Sequence, residues 1–321
     1  TSPKDLQRVY DRLVNDYGYN PGSYTDFPGG ISNMKFLARI DWNINDNHKL
    51  ALRYNKTKNT TWYSPNGNSC DDGMRNKAYN RASNESQPFS NNMYSQQNDV
   101  TSFVAELNSR FGNKASNQIL ATYSFINDQR GTNSDIFPHI DICQGYDADG
   151  KFTNAPATSL GYELFTYKNG VTNKTYNIAD NFTYYAGDHT ITAGASYEHM
   201  FADNSYIRNG TGYYRYNSLQ DFFDGATPET VNLTYGYDGE ENPAARVRYG
   251  KYALYGQDDW NVSDNFKLTA GLRLETIVFN NADVMTNNAI KELDYNGLNI
   301  DTGAWPTTKL QVSPRVGFSW D

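Results

Sequence analysis

The sequence predicts an all-β chain, an antiparallel transmembrane β-barrel present in part, with about nine strands, short turns on one side and long loops on the other. Two observations carry this. One unit is written four times: an alternating apolar–polar strand, a tight polar turn and a second alternating strand. The copies are FLARIDWNI-NDNH-KLALRYN from Phe36, FVAELNSRF-GNKAS-NQILATYSF from Phe103, YNIADNFTYYA-GDH-TITAGASYE from Tyr176 and YALYGQDDWNV-SDNF-KLTAGLRLE from Tyr252. Between the hairpins lie long polar segments rich in Tyr and Asn, so turns of two lengths alternate along the chain.

Composition agrees. The chain has 321 residues, a net charge of −8, 15% aromatic residues and 26 Tyr. Its mean hydropathy is −0.77, and no basic patch suggests nucleic acid. No apolar run approaches the roughly 20 residues of a spanning helix. A barrel with a polar lumen gives the same profile, because only every second strand residue meets lipid.

Residues 1–30 read as a short helix and a loop segment. Ser2 caps, Pro3 suits the first turn, Leu6, Val9, Tyr10, Leu13 and Val14 form one face, and Gly18 and Pro21 end the helix. Packing on a barrel rim or loop is preferred over binding a partner. Residues 31–321 read as the partial barrel: four hairpins and a final single strand.

In the strands the two faces differ in kind. Phe36, Ile40, Trp42, Trp260, Leu272, Phe318 and Trp320 fall on apolar stripes and are expected to face lipid or form an interfacial girdle. Arg39, Arg53, Glu106, Arg110, Arg273, Glu275 and Arg315 fall on the opposite stripes and are expected to face the lumen. A soluble sandwich also alternates. Aromatics recurring near the turns, and strands of about 10 to 13 residues against a sandwich's typical 5 or 6, favour the barrel. One strand fits poorly, since the register exposing Tyr176, Ile178, Phe182 and Tyr184 also exposes Asp180; a bulge or a place near one rim would accommodate it. Four hairpins and one strand are an odd count for a bacterial barrel. With no secretory signal at Thr1, a fragment of a longer protein is expected.

The long loops span about Asn59–Asp99, Gln129–Asn173, Met200–Arg248 and Asn280–Thr308, with a second short helix over Ser218–Asp224. Their densest aromatic group, Tyr213, Tyr214, Tyr216, Tyr235 and Tyr237, reads either as ligand contact or, preferably, as loops packing on one another. Cys70 and Cys143 fit a loop–loop disulfide or two unlinked thiols equally. No metal, cofactor or catalytic motif is found. His48 and His189 begin returning strands, and His139 and His199 lack a ligand set. Asp147-Ala148-Asp149-Gly150 resembles the start of a calcium loop but has Thr158 at the twelfth position, so an Asp-Gly turn is preferred. An enzyme is not expected.

YALYGQDDWNVSDNFKLTAGLRLE resembles the hairpin of TonB-dependent outer-membrane receptors, with their LYxQDxW strand, xxDN turn and LTxGLRxE strand. LQVSPRVGFSW is similar to the SPRxGFxW strand that follows, and RIDWNINDNHKLALRYN and DNFTYYAGDHTITAGASYE match earlier hairpins. The run is similar to the Oar-like receptors with a carboxypeptidase-regulatory-like domain, common in Bacteroidetes. The resemblance implies a barrel in the cell outer membrane, in contact with its lipid, that binds an extracellular solute at its loops and imports it. It implies as partners a plug domain and the remaining strands of the parent polypeptide, and TonB through the N-terminal part, none of which is visible here. Two other functions are carried beside it: a surface adhesin barrel without transport, and a secreted carbohydrate-binding β-protein.

Overall fold

The computed structural model describes residues 1–67, 80–236 and 239–321. Helix α1 (Pro3–Tyr17) is followed by strands β1 (Ile31–Asn45), β2 (His48–Tyr63), β3 (Tyr94–Phe111), β4 (Ala115–Gly131), β5 (His139–Tyr146), β6 (Phe152–Leu160), β7 (Gly170–Ala186), β8 (His189–Ser205) and β9 (Tyr213–Tyr216). Then come α2 (Leu219–Asp224), β10 (Thr230–Asn232), β11 (Ala244–Ser263), β12 (Phe266–Phe279), α3 (Asn288–Lys291) and β13 (Gln311–Trp320).

Among the described residues two sheets form. The larger has nine antiparallel strands in the order β1-β2-β3-β4-β7-β8-β11-β12-β13, and the smaller has four in the order β10-β9-β5-β6. The large sheet is the predicted set of four hairpins and a last strand. Its members run from 10 to 20 residues, longer than the expected 10 to 13. The added length lies at the loop end, where residues such as Gln96, Asn127 and Asn204 keep the ladder but lose the apolar alternation. The loops are correspondingly shorter than the sequence suggested.

The ladder contains the geometry of closure. His48, just past the first turn, pairs with Ser109, two residues before the second turn begins at Phe111. Phe111 pairs with Ala115 and Ala115 with Tyr184, two residues before the third turn begins at Ala186. Ala186 pairs with His189, His189 with Trp260 and Trp260 with Leu268, two residues past the fourth turn's end at Phe266. Each hairpin is thus displaced by two residues from the last, or one residue per strand. With about 3.3 Å per residue and about 4.8 Å between strands, turns lying in one plane require a strand tilt of about 35°, the tilt of closed barrels.

β1 and β13 are the edges of the described sheet, and β1 is exposed along its whole length. Asp180 sits in an uninterrupted ladder between Ile119 and Ala195. No bulge turns it aside, and no rim is near; instead it accepts a hydrogen bond from Asn117 Nδ2.

All of the smaller sheet and α2 come from the long connections, at the end opposite the tight turns. α1 joins them. Ser2 caps it by accepting from the Asp5 N–H, and Gly18 closes it at φ 65°. Leu6, Val9 and Leu13 pack with Tyr19, Phe89, Ile140, Ile142, Leu160 and Phe222 in one buried core. Burial of a large apolar side chain contributes about 1.5–3 kcal/mol, so this is a folded layer over the loop end. Val14, expected on the packed face, is 38% exposed.

Gly161 pins the layer to its own connections. It has φ +86°, and a Cβ there would stand 1.9 Å from the Pro138 carbonyl oxygen. Gly161→Ala should cost about 1–3 kcal/mol or more. The expected outcome is faster proteolytic cleavage between residues 131 and 170 while the gel mobility of the folded sheet is kept; unchanged cleavage would refute this role for Gly161.

Candidate functional site

The register assigns every strand residue to one of two faces. Arg39 stands opposite Arg53, and Asp41 opposite Ala51, which stands opposite Glu106. Arg110 follows on the same face of β3. At the far side of the sheet Tyr255 stands opposite Arg273, Ala253 opposite Glu275 and Gly271 opposite Arg315. Carried strand by strand, the ladder puts all seven expected charges on a single face. They form two groups, one on β1–β3 and one on β12–β13, separated by four strands.

In the first group Asp41 takes the Arg39 guanidinium through Nε and Nη2 at 2.8–3.1 Å. Glu106 accepts from Asn108 and Gln118 at 2.9 and 2.8 Å. Arg110 lines a polar cavity of about 370 Å³ near the turns with Lys49, Gln118 and Asn181. In the second group Arg273 donates twice to Glu275 at 2.8–2.9 Å and lies over the Tyr255 ring at 5.1 Å. A cavity of about 590 Å³ is lined by Tyr255, Gln257, Gly271, Arg273, Ser313 and Arg315. Gly194 makes room beside it, since a Cβ there would stand 2.4 Å from the Tyr255 ring. Tyr255, Gln257 and the glycines were not singled out from sequence; the one signal was glycine at ionic-face positions inside otherwise regular strands.

The other face carries Phe36, Ile40, Trp42, Trp260, Leu272, Phe318 and Trp320, again all seven together. It is broadly exposed: Ile40 by 64%, Phe318 by 74% and Trp320 by 79%. Across it runs a row of rings, Tyr54–Phe103–Tyr123–Tyr176–His199, paired neighbour to neighbour.

The loop layer holds a polar centre of its own. Asp141 is fully buried and accepts from Arg81 Nε and Nη2 at 2.8 and 2.6 Å, Ser159 Oγ at 2.6 Å and Tyr213 Oη at 2.9 Å, with His139 Nε2 at 3.2 Å. Arg81 also donates to the Asn66 carbonyl, and Asn92 Nδ2 is 2.9 Å from His139 Nδ1. Burial alone would push the Asp141 carboxyl up; the Arg81 and His139 charges and hydrogen bonds outweigh it and hold the group well below the carboxylate range. Nearby, burial pushes the Tyr19 hydroxyl up to about 12. In the last loop the carboxylate of Asp301 is pulled to about 2 by Lys291, the Gly303 N–H and Thr286.

Of the tyrosine group, Tyr213 was a candidate ligand contact and is instead enclosed, its hydroxyl spent on Asp141. Tyr214 and Tyr216 pack half-buried against the layer's core, and Tyr235 is 80% exposed. Tyr237 and Cys70 lie outside the described residues, while Cys143 is buried in β5. Asp147 accepts from the Asp149 and Lys151 N–H groups and closes the β5–β6 turn. His48 contacts Ser109 and His189 contacts Asp258, both beside tight turns.

Staggered strands, tight turns at one end and two chemically distinct faces are the geometry of one known family, whose model, the outer membrane beta barrel domain, matches residues 11–321. This chain is an outer-membrane β-barrel domain. It resides in the outer membrane, and in such barrels tight turns are periplasmic and long loops extracellular. Among solved structures it is similar to the copper transporter OprC (10% identity, TM-score 0.46, covering 94% of this chain and 36% of that one). It is also similar to the closed form of the ferric-catecholate import receptor Fiu of Escherichia coli (10%, 0.46, 90% and 40%) and to the ferric citrate transporter FecA (11%, 0.43, 90% and 33%). The chain spans less than half the length of each. No curated protein matches it.

Replacing Asp141 by Asn removes the buried carboxylate that accepts two hydrogen bonds from Arg81, a class of change that costs about 3–5 kcal/mol. Asp141→Asn should therefore release the loop layer of the outer-membrane domain to protease at neutral pH. The sign of the pH dependence follows from the lowered carboxyl. Its contribution is complete above the unfolded value of about 3.9 and is lost as pH falls further. Wild-type protease resistance should be flat from pH 7 to about 5 and fall below about 4; a loss beginning near pH 6 would contradict it.

Proposed function

We propose that the chain is part of a TonB-dependent outer-membrane transporter of the Oar-like type, a fragment of a longer polypeptide that binds a solute at its extracellular loops and imports it through a plugged barrel. The observation that carries this reading is the mixed-sign ionic face. Arg39 and Arg53 stand directly opposite each other, an arrangement that destabilises a sheet unless countered. Asp41 answers Arg39; among the described residues Arg53, Arg110 and Arg315 meet no carboxylate within ion-pair distance. A face of this kind is suited to an occupied interior, where a plug domain supplies the missing carboxylates, with the apolar face on lipid. The LYGQDDW, LTAGLRLE and SPRVGFSW segments support the same assignment.

The division into residues 1–30 and a barrel over 31–321 belongs to this reading. So does dependence on further strands of the parent: large plugged transporters have about 22 strands, and about nine make less than half of such a wall. The remaining partners would be outer-membrane lipid and TonB, reached through the N-terminal part. The exposed Tyr235 is the candidate solute contact among the tyrosines. Of the two other functions, the secreted carbohydrate-binding protein does not fit an outer-membrane domain. The adhesin retains one supporting observation, a loop layer with its own buried core, which makes a rigid extracellular surface.

The test uses the complete parent polypeptide. In planar bilayers it is expected to hold closed and to open to large steady conductance when urea unfolds a plug, and to bind the purified periplasmic domain of TonB. A complete protein that does neither would overturn import and leave the adhesin.

A further inference from the structure

The apolar face is not evenly filled. On β8 it reads Ile191, Ala193, Ala195 and Tyr197, so two alanines stand between larger side chains of one strand. Their partners across the ladder are Phe182 and Asp180 on β7, and Gly256 and Leu254 on β11. The small side chains leave a furrow, and two adjoining cavities of about 590 and 630 Å³ occupy it. Ala195, Leu254, Leu274 and Asp180 line both. The first ends on the loop side at Tyr197 and Tyr252, whose rings lie 4.9 Å apart, and the second runs toward the turns past Ala193 and Gly256. Each falls within the roughly 300–1,000 Å³ of small-molecule sites.

Asp180 is the charged side chain that this face gives to both cavities. Its Oδ1 accepts from Asn117 Nδ2; among the described residues Oδ2 takes no hydrogen bond and no cation lies within ion-pair distance. The next cation along β7 on this face, Lys174, is six residues away, about 20 Å.

Depth and width restrict what can answer it. With a tilt of about 35° each residue rises about 2.7 Å, which sets Asp180 about 16 Å above Ala186 at the tight turn, inside an apolar band about 25 Å tall. A carboxylate oxygen left open at this depth favours a cation that reaches it through hydrocarbon. The walls of the furrow, Ile178 and Leu254, stand two strand spacings apart, about 10 Å before their own side chains are subtracted. A helix about 10–12 Å across cannot enter; a single alkyl chain can.

We propose that the furrow is a binding site for a single-chain amphiphile with an ammonium headgroup, entered sideways from the membrane. The ammonium donates to Asp180 Oδ2, and the chain lies along Ala195 between Ile178 and Leu254. The site opens away from the ionic face and is separate from the solute route. This rests on the reading of the apolar face as lipid-facing, and the test separates the two. The complete polypeptide in neutral-detergent micelles is offered hexadecylammonium, hexadecyl sulfate or hexadecanol, and retained probe is counted by native mass spectrometry. Quenching of tryptophan fluorescence by brominated acyl chains in phosphatidylcholine bilayers is measured in parallel.

Hexadecylammonium should be retained at least about ten-fold more tightly than the other two, the effect of one charge-assisted hydrogen bond. Asp180→Asn should abolish that preference. Because it removes a charge from the lipid side, this variant should insert at least as well as wild type. Ala195→Leu should fill the furrow and weaken retention with Asp180 still in place, and the loop control Asp149→Asn should bind like wild type. Equal retention of the three probes, or an Asp180→Asn variant that still prefers the ammonium, overturns the amphiphile site alone. Absence of quenching overturns the lipid-facing reading as well.

Discussion

Every strand between the two edges, β1 and β13, satisfies its backbone sideways on both flanks, and the sheet does so with a displacement of one residue at each step from strand to strand. In a bilayer no water is available for an unpaired N–H or C=O, so the ladder must run without interruption through the hydrocarbon. Here the register shifts in the nine-strand sheet fall beside the first and fourth turns, at Asn43–Asn45 and Asn261–Ser263. The constant displacement then sets the tilt, and the tilt sets how many residues cross the apolar band. Because side chains alternate with a period of two, the same ladder also sorts every residue between faces; a slip of one would send Arg273 to the side of Leu272.

That sorting produces the chemistry. The ionic face gathers arginines against glutamates, amides and two glycines, Gly194 and Gly271, which open space beside Tyr255 and Arg315. The apolar face carries the carboxylate of Asp180, bonded to Asn117 and neighboured by Ala193 and Ala195, and that of Asp258, bonded to His189. A carboxylate there costs free energy against lipid, and the Asn117 amide offsets part of it. The loop layer answers a different constraint. With water on its surface it builds an ordinary core and places a deeply buried carboxylate, Asp141, under Arg81, so that connections far apart in sequence are joined at one point.

Much of the wall was legible in the sequence because a half-buried strand writes its two environments in alternate letters. Phe36 to Ile44 and Phe266 to Leu274 announce their faces residue by residue. The stagger was not legible, since it depends on which residues pair across strands and not on what they are. The loop layer was hidden for another reason. His139–Cys143 alternates His, Asp and Cys with two isoleucines, yet both sides of β5 are enclosed, so its polar residues mark an internal hydrogen-bond centre and not a solvent face. Arg81 sits in an irregular polar stretch with no periodicity to flag it. Among the loop tyrosines abundance alone could not separate ligand contact from packing of the loops on one another; Tyr213 spends its hydroxyl inside the layer.

Collisional accessibility of spin labels tests the placement of the two faces most directly. Labels would be introduced singly at residues 312 to 319 and 268 to 275 of the complete polypeptide in bilayers, in a background without native cysteines. Oxygen accessibility should peak at Val316, Phe318, Leu268 and Leu272, with a period of two. A water-soluble nickel chelate should be excluded from those sites. Labels at Val316 and Leu272 that collide freely with the chelate, or that are immobilised and shielded from both reagents, would contradict a lipid-facing apolar stripe.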